Sequence, residues 1–112
     1  MTAPNAHGVY EPAERLTLPM PRANWKGMPM AEISLVELPD GWRMATAVCL
    51  LTGSGHSTPL MACGPAFATR DGAVSAACDH IRNRTRGDRS SAAAVLAWLD
   101  RVVAPAQRSL FA

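Results

Sequence analysis

Apolar and polar positions are ordered differently along successive parts of the chain. From Ile33 to Leu38 a short, β-prone run ends at Pro39-Asp40-Gly41, a strong turn signal. Trp42 to Leu51 follows as a longer run. Trp42, Met44, Thr46, Val48 and Leu50 line one face, and Arg43, Ala45, Ala47, Cys49 and Leu51 the other. The two runs together predict a β-hairpin. Thr52 to His56 is rich in glycine and serine and reads as a connection. Ser57 to Cys63 then reads as a third strand, placed at an edge or begun late because of Pro59.

The period then changes to that of a helix. Thr69 is a suitable N-cap, Asp71 suits the positive end of a helix dipole, and Val74, Ala77, Cys78 and Ile81 fall at i, i+3, i+4 and i+7. Gly87 ends this helix and Ser90 or Ser91 caps a second. Its predicted buried face is Val95, Leu96, Trp98, Leu99, Val102 and Val103, and Pro105 stops it. The expected fold is therefore α+β: a three-stranded antiparallel sheet followed by two helices, in the order strand-strand-strand-helix-helix.

Five of the nine prolines fall in residues 1–30, where they oppose a long helix or a central strand. Residues 1–14 read as disordered and 15–30 as an extended arm with enough apolar side chains to lie on the domain. The expected organisation is a proline-rich, partly disordered arm (1–30), a small α+β domain (31–104) and a C-terminal tail (105–112). A chain of 112 residues holds one small domain, and its alanine-rich core would be modest, as a monomer or with the help of a homodimer interface.

A net charge of +2 says little, but Arg82, Arg84, Arg86 and Arg89 lie within eight positions. Guanidinium groups suit both the carboxyl end of a helix and phosphate oxygens. The cluster is therefore either a solvated face or a nucleic-acid contact, which Arg22, Lys26 and Arg43 would extend. Three cysteines at wide spacing, with no signal-peptide pattern before them, suit reduced thiols and a cytoplasmic location. No stretch approaches the ~20 apolar residues of a membrane span. No cofactor is indicated. Cys78 and His80, two apart on a helix, lack metal-site spacing. His56 beside Ser57 invites a hydrolase reading, but no nearby carboxylate would orient the imidazole. No catalytic residue and no metal ligand is assigned, and the chain reads as a non-enzymatic protein.

The tail carries the most specific signal. Gln107, Ser109, Leu110 and Phe111 form a Gln-x-Ser-Leu-Phe pattern that resembles the peptide by which bacterial replication and repair proteins dock on the DNA polymerase sliding clamp. The resemblance spans five residues. It implies Gln107 as a polar anchor, Ser109 as an accepted spacer, and Leu110 and Phe111 as apolar plugs. Arg108 departs from the leucine common at that position. A peptide of this kind would bind at micromolar strength, near −8 kcal/mol. The alternative use of Leu110 and Phe111 is to fold back onto the domain core. The resulting expectation is a small bacterial accessory protein that binds the clamp through its tail and nucleic acid through its arginines. An antitoxin-like or regulatory protein-binding domain is the alternative.

Overall fold

The computed structural model describes residues 4–21, 24–51, 55–85 and 93–102. An antiparallel sheet of four strands runs in chain order: β1 (Glu14–Leu18), β2 (Ala31–Leu38), β3 (Gly41–Cys49) and β4 (Gly55–Ser57). Two helices follow, α1 (Arg70–Thr85) and α2 (93–102). The architecture is α+β as expected, with four strands in place of three.

The added strand comes from the proline-rich arm. Glu14-Arg15-Leu16-Thr17-Leu18 contains no proline and alternates in burial, so it pairs along β2 from Glu14 opposite Leu35 to Leu18 opposite Ala31. Prolines bracket this segment without entering it, and at an edge they cost no ladder bond. Residues 4–13, expected to be disordered, also have defined partners. Asn5 closes a turn by accepting from the His7 and Val9 amides, and Tyr10 N–H donates to the Leu60 carbonyl at 2.7 Å. The strand expected over 57–63 is instead the short β4, whose residues were read partly as a connection. Beyond it Pro59 interrupts pairing, and the chain crosses to the other sheet face.

The hairpin of β2 and β3 forms as predicted, with Leu38 opposite Gly41 and only Pro39-Asp40 between the strands. Glycine is required after that turn. Gly41 has φ +134°, and a Cβ there would approach the Phe67 carbonyl oxygen to 2.9 Å. The close contact arises because Trp42 and Phe67 exchange both backbone hydrogen bonds, at 2.7 and 2.9 Å.

Both faces of the central strands are buried. Ala31, Ile33, Leu35 and Val48 meet Ala73, Val74, Ala77, Cys78 and Ile81 of α1 and Val95, Trp98 and Leu99 of α2. Small residues at 73, 77 and 78 let the helix backbone come close to the sheet. Thr69 caps α1 by accepting from the Gly72 amide at 3.0 Å. Arg70 in the first turn makes a two-pronged pair with Glu14 of β1 (2.7 and 2.5 Å), tying the arm strand to the helix. Leu96, expected on the buried face of α2, is 42% exposed because it lies off the stripe of Val95, Trp98 and Leu99.

On the opposite face Val36, Leu38, Ala45 and Leu60 form a second apolar cluster with Tyr10. Arg43 lies on the same face, with only 5% of its side chain exposed. It donates from Nε to the Ala62 carbonyl (3.1 Å), from Nη1 to the Gly41 carbonyl (3.2 Å) and from Nη2 to Asp40 (2.9 Å). Its charge is thus spent inside the fold and cannot extend a surface patch. Removing a buried donor set leaves carbonyls without partners. Arg43→Ala is expected to lower the unfolding free energy by about 2–3 kcal/mol in urea titrations. Asp40→Ala, which removes a carboxylate that is 72% exposed, should cost under about 1 kcal/mol. Equal and small losses would show that Arg43 does not hold this face together.

Candidate functional site

Strand alternation and helix spacing bring three nitrogen-bearing side chains together at the β4 edge. His56 lies directly opposite Val48 in the β3–β4 ladder and shares its face of the sheet. His80 and Arg84 are one turn apart on α1, which packs on that face. The His56 and His80 rings have their centroids 5.8 Å apart, tilted by 57°. Arg84, together with Val48, Leu50, Gly55 and His56, lines a cleft of about 160 Å³. One wall is apolar, and the polar groups are cationic or imidazole.

His80 links the cluster to the core. Its Nδ1 lies 3.4 Å from Thr46 Oγ1, and its Nε2 accepts from Arg84 Nε at 3.4 Å. A ring that accepts at Nε2 carries its neutral proton on Nδ1, which then faces the threonine. Burial first, then the Arg84 charge and then His56, hold His80 below the ordinary imidazole value of 6.5. His56 Nε2 is buried and has no hydrogen-bond partner among the described residues. Leaving such a nitrogen unsatisfied costs about 1–3 kcal/mol.

The arginine cluster divides. Arg82 pairs with Asp79 at 3.1 Å and approaches Asp100 of α2 at 3.9 Å. Arg84 has no carboxylate partner among the described residues, so its charge at the cleft is not neutralised by any of them. Arg86 and Arg89 lie outside the described residues. So do Gln107, Ser109, Leu110 and Phe111 of the clamp-like peptide, and Arg22.

Neither earlier suggestion of chemistry at this cluster matches the geometry. Neighbouring strand residues face opposite sides, so His56 and Ser57 do not converge. Cys78 is buried in the core, and burial pushes its thiol up to about 11, leaving a protonated small hydrophobe rather than a ligand. Among the described residues no group of three or more His, Cys, Asp or Glu could hold a metal ion. Nor is any helix among them long and apolar enough to cross a membrane.

The His56–His80–Arg84 cluster escaped sequence reasoning because its members are 24 and 28 positions apart and one was assigned to a loop. The available signal was the alternation His56-Ser57 beside a β-prone run, which places the imidazole on one face if that segment is a strand. No family model, curated protein or solved structure matches the chain.

The depressed His80 value sets a pH dependence. Below about 6.5 the unfolded chain takes up a proton at this position that the folded chain resists. The unfolded state then binds more protons, and stability falls as pH drops from about 7 towards the folded value. Glu14, held low chiefly by its hydrogen bonds to Arg70, acts in the separate window below its ordinary 4.5. The melting temperature is therefore expected to fall between pH 7.5 and 5.5, and His80→Gln should flatten that fall. An unchanged slope in the variant would assign it to other groups.

Proposed function

We propose that this is a small non-enzymatic binding domain, whose cleft between β4 and α1 takes up phosphate oxygens of a nucleic-acid partner. The observation that carries this reading is the Arg84 guanidinium, which has no carboxylate partner among the described residues, beside the His56 imidazole on the wall of one cleft. Guanidinium N–H groups match phosphate oxygens, and the pairing is charge-assisted. Arg86 and Arg89, close in sequence, would add to the same positive field. Phosphate contacts fix position rather than sequence, so the expected binding is weak and tolerant of base identity.

A second reading is favoured by the Gln107-Arg108-Ser109-Leu110-Phe111 pattern. In it the same protein docks on the sliding clamp of a bacterial DNA polymerase, as an accessory protein in the cytoplasm. The two contacts are compatible. A weak tail contact and a weak phosphate contact on one chain reinforce each other through effective concentration. An antitoxin-like or regulatory role would use the domain for a protein partner instead.

Fluorescence anisotropy with a labelled oligonucleotide separates these readings. Binding should weaken steeply as salt rises from 50 to 200 mM, and Arg84→Ala should reduce it about tenfold at low salt. Binding that ignores salt and the substitution would remove the nucleic-acid reading. For the tail, the full-length protein should bind purified clamp with a Kd on the order of micromolar. Replacing Leu110 and Phe111 with alanine should abolish that binding. No association of the full chain with the clamp would end the docking proposal.

A further inference from the structure

We infer that the β4–α1 cleft is built for the terminal phosphate of a monoester, a dianion with one substituent, rather than for an internal phosphodiester. The inference rests on the phosphate-binding reading above and narrows its ligand.

Three observations lead to it. The first is size. A cleft of about 160 Å³ is smaller than the ~300–1,000 Å³ of pockets that hold drug-sized ligands. It suits a tetrahedral anion and the carbon atoms next to it, not a base or a length of strand. The second is the distribution of chemistry on its walls. Arg84 and His56 supply nitrogen donors from the helix and the edge strand, while Val48 and Leu50 are buried apolar residues. A phosphate with one ester arm can place its oxygens on the nitrogens and its carbon arm on the apolar wall. A diester in a strand must lead two ester arms, each running on to a further charged phosphate, away from the same small volume.

The third is charge and unmet hydrogen bonding. Among the described residues Arg84 lacks a carboxylate and His56 Nε2 lacks a hydrogen-bond partner. His80 is held by two contacts at the long limit of 3.4 Å. An anion at the cleft gives the Arg84 fork a charged acceptor beside its Nε contact with His80. A turn of the His56 ring towards it relieves the buried nitrogen. A monoester near neutral pH carries about −1.5 to −2 charges and three terminal acceptor oxygens, against one charge and two such oxygens for a diester. With the Arg84 guanidinium and the His56 ring on one cleft, the more highly charged group gains more.

The test uses the full chain at pH 7 and two pairs of probes. One pair is adenosine monophosphate and adenosine. The other is a short oligonucleotide with and without a 5′-phosphate. Binding is followed by anisotropy for the labelled strands and by histidine ring signals in NMR for all four. The phosphate-bearing member of at least one pair should bind about tenfold or more tightly than its partner and shift both His56 and His80. Arg84→Ala, at an exposed position, should remove that preference while still giving a cooperative melt of the folded protein. His56→Gln, checked for folding by the same melt, should reduce it. Preference for adenosine monophosphate with no preference between strands assigns the site to a free small ester, and preference in both pairs assigns it to strand ends as well. Equal, salt-sensitive binding of the two strands, lost in Arg84→Ala and joined by no monophosphate binding, overturns the monoester inference and leaves the nucleic-acid reading standing. No ring shifts and no binding with any probe overturn both.

Discussion

Every part of this fold answers to one constraint, a hairpin whose two strands are apolar on both faces. β2 and β3 cannot lie on the surface of a domain, because Ala31, Ile33 and Leu35 point one way and Val36 and Leu38 the other. A sheet buried on both sides needs two covers, yet the chain has helices for one. α1 and α2 close the first face with an alanine-rich stripe that sits close to the strands. The second face is closed by irregular chain, residues 9–10 against 60–61, and irregular chain brings backbone carbonyls and amides with it. Buried peptide groups must be paired. The Arg43 guanidinium does part of that pairing, reaching the Ala62 and Gly41 carbonyls from the sheet itself. A buried arginine costs desolvation, and here it is offset because the cover it holds carries acceptors.

The same division explains which features were legible in the sequence. The hairpin and α1 depend on local periodicity, a turn and a cap, so Pro39-Asp40-Gly41, Thr69 and the 74–77–78–81 stripe were sufficient to place them. β1 was obscured because a pairing segment only five residues long sits among prolines that argue against strands. Its partner, β2, and its ion pair, Glu14 with Arg70, lie 17 and 56 residues away in sequence. β4 was obscured by glycine and serine, whose low strand preference is overridden by pairing with Val48. Leu96 was misplaced by treating a helix face as broader than the stripe that meets the sheet.

Charge was harder to read than apolar pattern, for a physical reason. A run of arginines in sequence gives a density of positive charge, but the free charge depends on which carboxylates the fold brings near. Asp79 is local to Arg82, whereas Asp100 comes from the other helix. Arg43, formally a member of the basic set, turned inward. What remained available was Arg84, and its neighbours were two histidines that no sequence window could have assembled.

The position of that cluster also bears on its energetics. β4 is the shortest strand, with three paired positions, and its far side is not paired with any described strand. Local opening is cheapest where few hydrogen bonds and little apolar area must be given up. An imidazole nitrogen buried without a partner raises the energy of the closed edge further. The edge therefore holds a ring that gains by reorienting, on a strand that resists reorientation least. An anion bound as proposed would be opposed by little rigidity there, and would fasten β4 to α1. On that proposal, ligand uptake and the stability of this edge would be linked through the same few contacts.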